Sequence, residues 1–377
     1  MIKIIEKKEW SVKELKQRVL APDPNVTAAV SGIIENVRKN GDRALREYAI
    51  KFDGYCPQDF EVSRKEIESA LEEIPCDLKE VMQEAAGRIE RYHRAQVRQN
   101  FTVQGDGTML MQCVQPLEKA GIYVPGGTAA YPSTVLMNAI PAKIAGVKEI
   151  VTVSPPTCNG KISPVILAAA AIAGVDRVLQ TGGAQAIAAL AYGTESIPKV
   201  SKICGPGNAY VAEAKRQVFG PVGIDMVAGP SEILVIADGA SNPAVVAADM
   251  LSQAEHDKNA SAMLVTTSPD LAAATATEID RQLETLPRKE IAETSINNNG
   301  FIMLADSIGE PSNWQMRSRR STWSCVWMIR LPTSNRSGMR DPSYLEETVP
   351  RHWATILREQ ITHFPQAERQ YTPVLCP

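Results

Sequence analysis

The sequence lacks several features that would each have pointed to a class of protein. It has no hydrophobic run long enough to span a bilayer, so no membrane partner is expected. Met1 to Trp10 is charged and lacks the apolar run of a secretory signal, which predicts a cytoplasmic protein. Seven cysteines (Cys56, Cys76, Cys113, Cys158, Cys204, Cys325 and Cys376) include no Cys-x-x-Cys pair, so neither a disulfide framework nor a thiolate zinc site is indicated. There is no excess of one charge: 40 Lys and Arg against 43 Asp and Glu leave a net charge of -3, with no chain-wide basic field for a nucleic acid. What is present is ordinary. With 377 residues, 44% hydrophobic and 22% charged, the composition is that of a globular enzyme or binding protein of two or three domains.

The near-neutral total hides two unlike segments. Residues 311–377 hold four of the five Trp, nine Arg, no Lys and a single glycine, Gly338. Their net charge is +4, which leaves -7 for residues 1–310. Arg317, Arg319 and Arg320 resemble a basic patch, but no regular helical or strand period surrounds it and no nucleic-acid partner is expected.

Upstream of this segment the pattern is regular. From about Asn25 to Arg98, apolar residues recur at spacings of three and four, which predicts a mostly helical N-terminal segment over 1–110. Beyond Gly121, short β-rich runs alternate with Ala-rich stretches. Strands are expected at Ile122–Val124, Glu149–Val153, Arg177–Gln180, Val200–Ile203, Ile233–Ala237 and Ala262–Thr266. Helices are expected between them, including Ser133–Ala145 and Pro164–Ala173. This alternation implies parallel crossovers and a doubly wound, Rossmann-like α/β fold, with a nucleotide-binding domain at 111–240 and a second α/β region at 241–310.

Ligands of such sheets bind at the carboxyl ends of the strands. Three Gly-rich loops fall there: Val124-Pro-Gly-Gly-Thr128, Thr181-Gly-Gly-Ala-Gln185 and Cys204-Gly-Pro-Gly-Asn208. Each precedes a helix, so backbone N–H groups could face an anionic ligand. Glycines in tight strand-to-helix turns also serve simply to supply positive φ, but three such loops together favour a nucleotide site. Further on, Gln253 and His256 lie three apart on a predicted helix, a spacing that suits two ligands of one cation. A helix-end His in an ordinary hydrogen bond fits the same motif, and a zinc site needs two more ligands.

Five motifs in order then resemble the histidinol dehydrogenase family. They are Gly121-Ile-Tyr-Val-Pro-Gly-Gly127, the run Gly182 to Gly193, Gly205-Pro-Gly-Asn208, Ala228-Gly-Pro-Ser-Glu232 and Ser252-Gln-Ala-Glu-His-Asp257. The resemblance is colinear to about Glu310. It implies NAD-dependent oxidation of L-histidinol through histidinal to L-histidine, the last step of histidine biosynthesis, in a zinc-containing homodimer. It further implies that Tyr123, Gln185 and Asn208 contact NAD, that Gln253 and His256 are zinc ligands that also face substrate, and that Ser231 contacts substrate. A zinc ion can orient an imidazole and an amine, while the hydride chemistry belongs to the cofactor.

Beyond Glu310 the resemblance stops, yet the family's next segment is present in another frame. Back-translating residues 311–325 with one G restored after codon 310 permits Ala-Ile-Lys-Leu-Ala-Asn-Glu-Ile-Ala-Pro-Glu-His-Leu-Glu-Leu, with its first Leu forced by the single codon of Trp314. The codons of Cys325 to Asn335 permit Cys-Val-Asp-Asp-Pro-Phe-Ala-Tyr-Leu-Lys, both Asp being forced by Trp327, Met328 and Ile329. Trp353 to Gln370 permits a family-like Gly-Asp-Tyr and Asn-His stretch. Residues 311–377 are therefore expected to be an out-of-frame tail of non-native sequence. The family's Glu-His acid/base pair would be encoded across Arg320, Ser321 and Thr322, so no catalytic residue is retained in frame. The zinc-binding Asp and a substrate-binding His are lost with the later stretches, and His352 and His363 are products of the shift. The chain as translated is expected to be inactive, to bind zinc weakly and to dimerise poorly. The alternative is a residual nucleotide-binding module without turnover.

Overall fold

The structure is a computed structural model and describes residues 2–6, 23–126, 130–157, 160–227 and 232–306. The tail from 311 onward, on which the reading-frame expectation falls, lies outside the described residues. In chain order the first elements are β1 (Lys3–Glu6), α1 (Pro24–Tyr48), a π-helical turn (Ala49–Asp53), α2 (Arg64–Glu73) and α3 (Cys76–Arg94). Next come β2 (Phe101–Gly105), β3 (Thr108–Gln112), β4 (Lys119–Tyr123), α4 (Pro132–Ile144), β5 (Glu149–Ser154), α5 (Pro164–Ala173) and β6 (Arg177–Gln180). They are followed by α6 (Gly183–Tyr192), β7 (Lys202–Cys204), α7 (Ala209–Val218), β8 (Gly223–Ile224) and β9 (Glu232–Ala237). The last are α8 (Pro243–Ala254), β10 (Ser261–Thr266), α9 (Pro269–Leu283), α10 (Lys289–Asn299) and β11 (Phe301–Leu304). Strands and helices alternate as the hydrophobic pattern predicts, and the fold class is the expected parallel α/β one.

The described residues form two compact units, 23–227 and 2–6 with 232–306. In the first, a parallel sheet has the order β6-β5-β4-β7-β8, with Gly121 opposite Val151 on one side and Ile203 on the other. Residues Ile150 to Ser154 of β5 are all buried, the continuous pattern of a strand covered on both faces. Helix α1 packs on this core through Val30, Ile33, Ile34 and Val37, a helical stripe that meets Ile187 and Leu190 of α6. Each such side chain contributes about 1.5–3 kcal/mol relative to exposure. Asp23 starts the helix by accepting from the Asn25 N–H at 2.8 Å, with Pro24 at the first helical position.

The order of the sheet places the site. From β4 the chain steps outward to β5 and β6, then returns through α6 to set β7 on the opposite side of β4. Connections therefore leave β4 and β7 in opposite directions, which opens a crevice at their carboxyl ends.

In the second unit the parallel order is β1-β11-β10-β9, with Lys3 opposite Phe301 and Ser261 opposite Glu232. Two features depart from the mostly helical reading of the N-terminal segment. Residues 3–6 form a strand that joins β11, and residues 101–112 form an antiparallel hairpin through Asp106-Gly107. Among the described residues no helix is long and apolar enough to cross a membrane.

Candidate functional site

Tyr123 ends β4 at the switch point of the five-stranded sheet, and its side chain is only 4% exposed. Its hydroxyl accepts the N–H of Gly183 at 3.1 Å, so strand β4 is tied to the first residue of α6. Burial, chiefly, raises the phenol's pKa, with a smaller contribution from the negative Asp53; the Gly183 hydrogen bond acts the other way. The phenol therefore keeps its proton and can donate it to a ligand. Across the crevice, Gly205 follows β7 at φ +115. A Cβ there would overlap the carbonyl oxygen of Tyr123, so only glycine lets the two strand ends close to this distance.

Gln185 lies in the first turn of α6 and is 2% exposed. The approach to that turn is tight, since a Cβ on Gly182 would stand 2.5 Å from Cβ of Pro155, at the end of β5. Asn208 precedes α7 and caps it, its side-chain oxygen accepting from Tyr210 N at 3.0 Å and Val211 N at 3.1 Å. With the oxygen so engaged, the side-chain amide N–H is the group Asn208 can offer a ligand. Tyr123, Gln185 and Asn208 thus all stand at carboxyl ends of one parallel sheet or at the helix starts that follow them.

Some of the backbone donors expected in the Gly-rich loops are already engaged. The Gly183 N–H is taken by Tyr123, the Gly205 N–H donates to Asp225 Oδ2 at 2.8 Å, and the α7 N-terminus is capped by its own Asn208. The third loop lies only partly within the described residues, which stop at Gly126 and resume at Ala130. At the start of α6 no N-cap side chain caps the helix, so the expectation of backbone donors stands there, beside the side chains of Tyr123, Gln185 and Asn208.

In the other unit, Gln253 sits in the last turn of α8, 6% exposed. His256 is not on the helix as predicted. The helix ends at Ala254, and His256 lies in the turn beyond, its backbone N–H donating to the Gln253 carbonyl at 3.2 Å. Gln253 Nε2 is buried and has no hydrogen-bond partner among the described residues. Burying an amide without a partner costs about 1–3 kcal/mol, which marks this end of α8 as a place that tolerates instability. No cluster of three or more His, Cys, Asp or Glu that could hold a metal occurs among the described residues. Ser231, expected to face substrate, lies outside the described residues.

Sequence reasoning missed three residues here. Asp53 ends the π-helical turn, and burial raises its carboxyl pKa. Lys215 and Asp225 hold Gly205 from both sides. A charged residue on an amphipathic helix ordinarily faces solvent, so the spacing of Lys215 gave no sign of its burial.

The sequence pattern of the histidinol dehydrogenase family matches residues 16–315. A histidinol dehydrogenase of Bacillus cereus is 54% identical over 300 residues, covering 79% of this chain and 70% of that protein. One from Streptococcus mutans is 54% identical over 285 residues, covering 75% of this chain and 66% of its own length. The crystal structure of histidinol dehydrogenase from Elizabethkingia anophelis superposes with a TM-score of 0.79 at 37% identity, covering 85% of this chain and 74% of that one. With the family pattern over residues 16–315 and these relatives, the chain belongs to the histidinol dehydrogenase family of oxidoreductases.

Proposed function

We propose that the gene encodes an NAD-dependent oxidation of L-histidinol through histidinal to L-histidine, and that the chain as translated lacks the groups that complete it. The expected cofactor residues Tyr123, Gln185 and Asn208 lie in the unit of residues 23–227, and the expected metal and substrate residues Gln253 and His256 in the other. The observation that carries it is the place where the family match ends. It runs to residue 315, while the rereading of the tail in the other frame begins at codon 311.

The cofactor reading fits the residues present. A buried phenol that keeps its proton, the Asn208 amide N–H and the close-packed glycine turn at Gly182 stand at the crevice where dinucleotides bind in such sheets. NAD, when bound, accepts the hydride. The chain must remove the proton: alcohol to aldehyde releases one hydride and one proton, and hydrated aldehyde to acid releases a second pair. The base expected for that proton is the Glu-His pair encoded across Arg320, Ser321 and Thr322 in the other frame. A positioned base is commonly worth ~10²- to 10⁴-fold.

The metal reading does not fit the described residues. Gln253 and His256 supply two donors where a tetrahedral zinc site takes four. Gln253 Nε2, which has no partner among the described residues, is an N–H donor and supports a place for a hydrogen-bond acceptor at this end of α8 rather than for the metal ion itself. Homodimer formation belongs to the restored product in the same proposal.

The test is to restore one G after codon 310 and supply L-histidinol and NAD. NADH should form with the corrected product and fall at least ~10²-fold with the chain as translated. A corrected product that forms no NADH would sink the reading. A second reading, a nucleotide-binding module without turnover, is favoured by the position of Tyr123, Gln185 and Asn208 well upstream of codon 311. Calorimetry of the translated chain with NAD decides it, since absence of binding heat removes it.

A further inference from the structure

Among the largest fully buried side chains of the described residues, Lys215 is the one that bears a charge. Burying an ammonium group costs several kcal/mol unless it is paired and hydrogen-bonded, so at 2% exposure it must be held for a reason other than packing. Its Nζ donates to the carbonyl oxygen of Gly205 at 2.9 Å and forms an ion pair with the partly buried carboxylate of Asp225. That carboxylate in turn accepts the N–H of Gly205 at 2.8 Å, and the Asp225 backbone N–H is fixed to Ile203 O at 3.1 Å, beside β7. One ion pair therefore grips both backbone polar groups of a single glycine. That glycine, at φ +115, is the one whose Cα is pressed against the Tyr123 carbonyl, three residues before Asn208.

We infer that the Lys215–Asp225 pair is a brace that fixes the Gly205–Asn208 loop against Tyr123, which makes Lys215 and Asp225 positioning residues for NAD. The inference rests on the cofactor reading proposed above. The energetics favour geometry over stability as the role of the pair. A buried ion pair adds little that two apolar side chains of similar size would not, whereas an apolar pair cannot hold an N–H and a carbonyl at once. Lys215 also lies on α7, whose first turn Asn208 caps, so the brace and the cap set the loop from the two ends of one helix.

The test uses the full chain and three variants: Lys215→Met, Asp225→Leu and the two combined. NAD affinity is measured by calorimetry, melting temperature by scanning, and exchange of the Gly205 amide by hydrogen exchange. Each single variant should melt lower and bind NAD at least ~10-fold more weakly. In the double variant the melting temperature should return close to that of the parent, because no buried charge is left alone. The affinity should stay low and the Gly205 amide should exchange faster. Affinity that recovers together with melting temperature, or single variants that bind NAD as the parent does, overturns the brace while leaving the cofactor reading intact. If the unaltered chain gives no NAD binding heat, the cofactor reading itself fails and the brace falls with it. Should the single variants not fold, the double variant alone decides, by affinity against melting temperature.

Discussion

At the carboxyl edge of the five-stranded sheet, Tyr123, Gly183, Gly205 and Asp225 satisfy one another, whereas at the end of α8 the Gln253 amide is buried without a partner among the described residues. The difference follows from where each region draws its residues. Every group described at the first lies between Asp53 and Asp225, on strands, loops and helices of one unit. The second holds two donors of a set whose remaining members, on the proposed reading, are encoded beyond codon 311. A site assembled from one stretch of chain keeps its form when the downstream frame is lost. A site assembled from distant stretches keeps only its first members.

The comparison is broken most severely at Gly205. Gly205→Ala puts a Cβ on the Tyr123 carbonyl oxygen at a φ that L residues avoid, so the loop must move. A loss of more than ~2 kcal/mol in denaturant unfolding is expected, with NAD binding too weak to measure by calorimetry. A milder break is Tyr123→Phe, which removes the acceptor of the Gly183 N–H. About 1–3 kcal/mol of stability should go, together with roughly tenfold in NAD affinity. An unchanged affinity would remove Tyr123 from the cofactor site.

Gln253→Leu sharpens the comparison from the other side. It replaces a buried amide, whose Nε2 has no partner among the described residues, by an apolar group of similar size. Stability should hold or rise by ~0.5–1 kcal/mol, with NAD affinity unchanged, and a loss above that magnitude would show that the amide is satisfied after all. The smallest effect is expected at Cys204, whose thiol is pushed up to about 11, chiefly by burial and then by Asp225. A raised pKa means that the reactive thiolate is scarce below that value. At about pH 8, alkylation should therefore label the exposed Cys76 and Cys113 and spare Cys204, as mass spectrometry would show.

The parallel strands were legible because buried strands carry continuous Val, Ile and Ala runs, and the crevice loops because glycine turns punctuate them. Strand β1 was not, since four residues pair with a partner almost three hundred positions away, and no local pattern announces that partner. The hairpin at 101–112 was announced by Asp106-Gly107 between two β-rich runs, a signal that the helical reading of the N-terminal segment passed over. His256 lay beyond the helix that its spacing suggested, because a spacing of three also fits a terminal turn. The roles of Lys215 and Asp225 are tertiary. They exist only once β7, β8 and α7 are packed, and nothing in the spacing of the two residues foretells it.

The central claim, that the family's catalytic segment is encoded here in another frame, is tested most directly by sequencing the coding DNA across codons 300–377. The account predicts third bases that, read one frame over from codon 311, spell Ala-Ile-Lys-Leu-Ala-Asn-Glu-Ile-Ala-Pro-Glu-His-Leu-Glu-Leu and continue through the Asp-Asp and Asn-His stretches. Third bases that spell any other run, or that place stop codons in that frame, would contradict it.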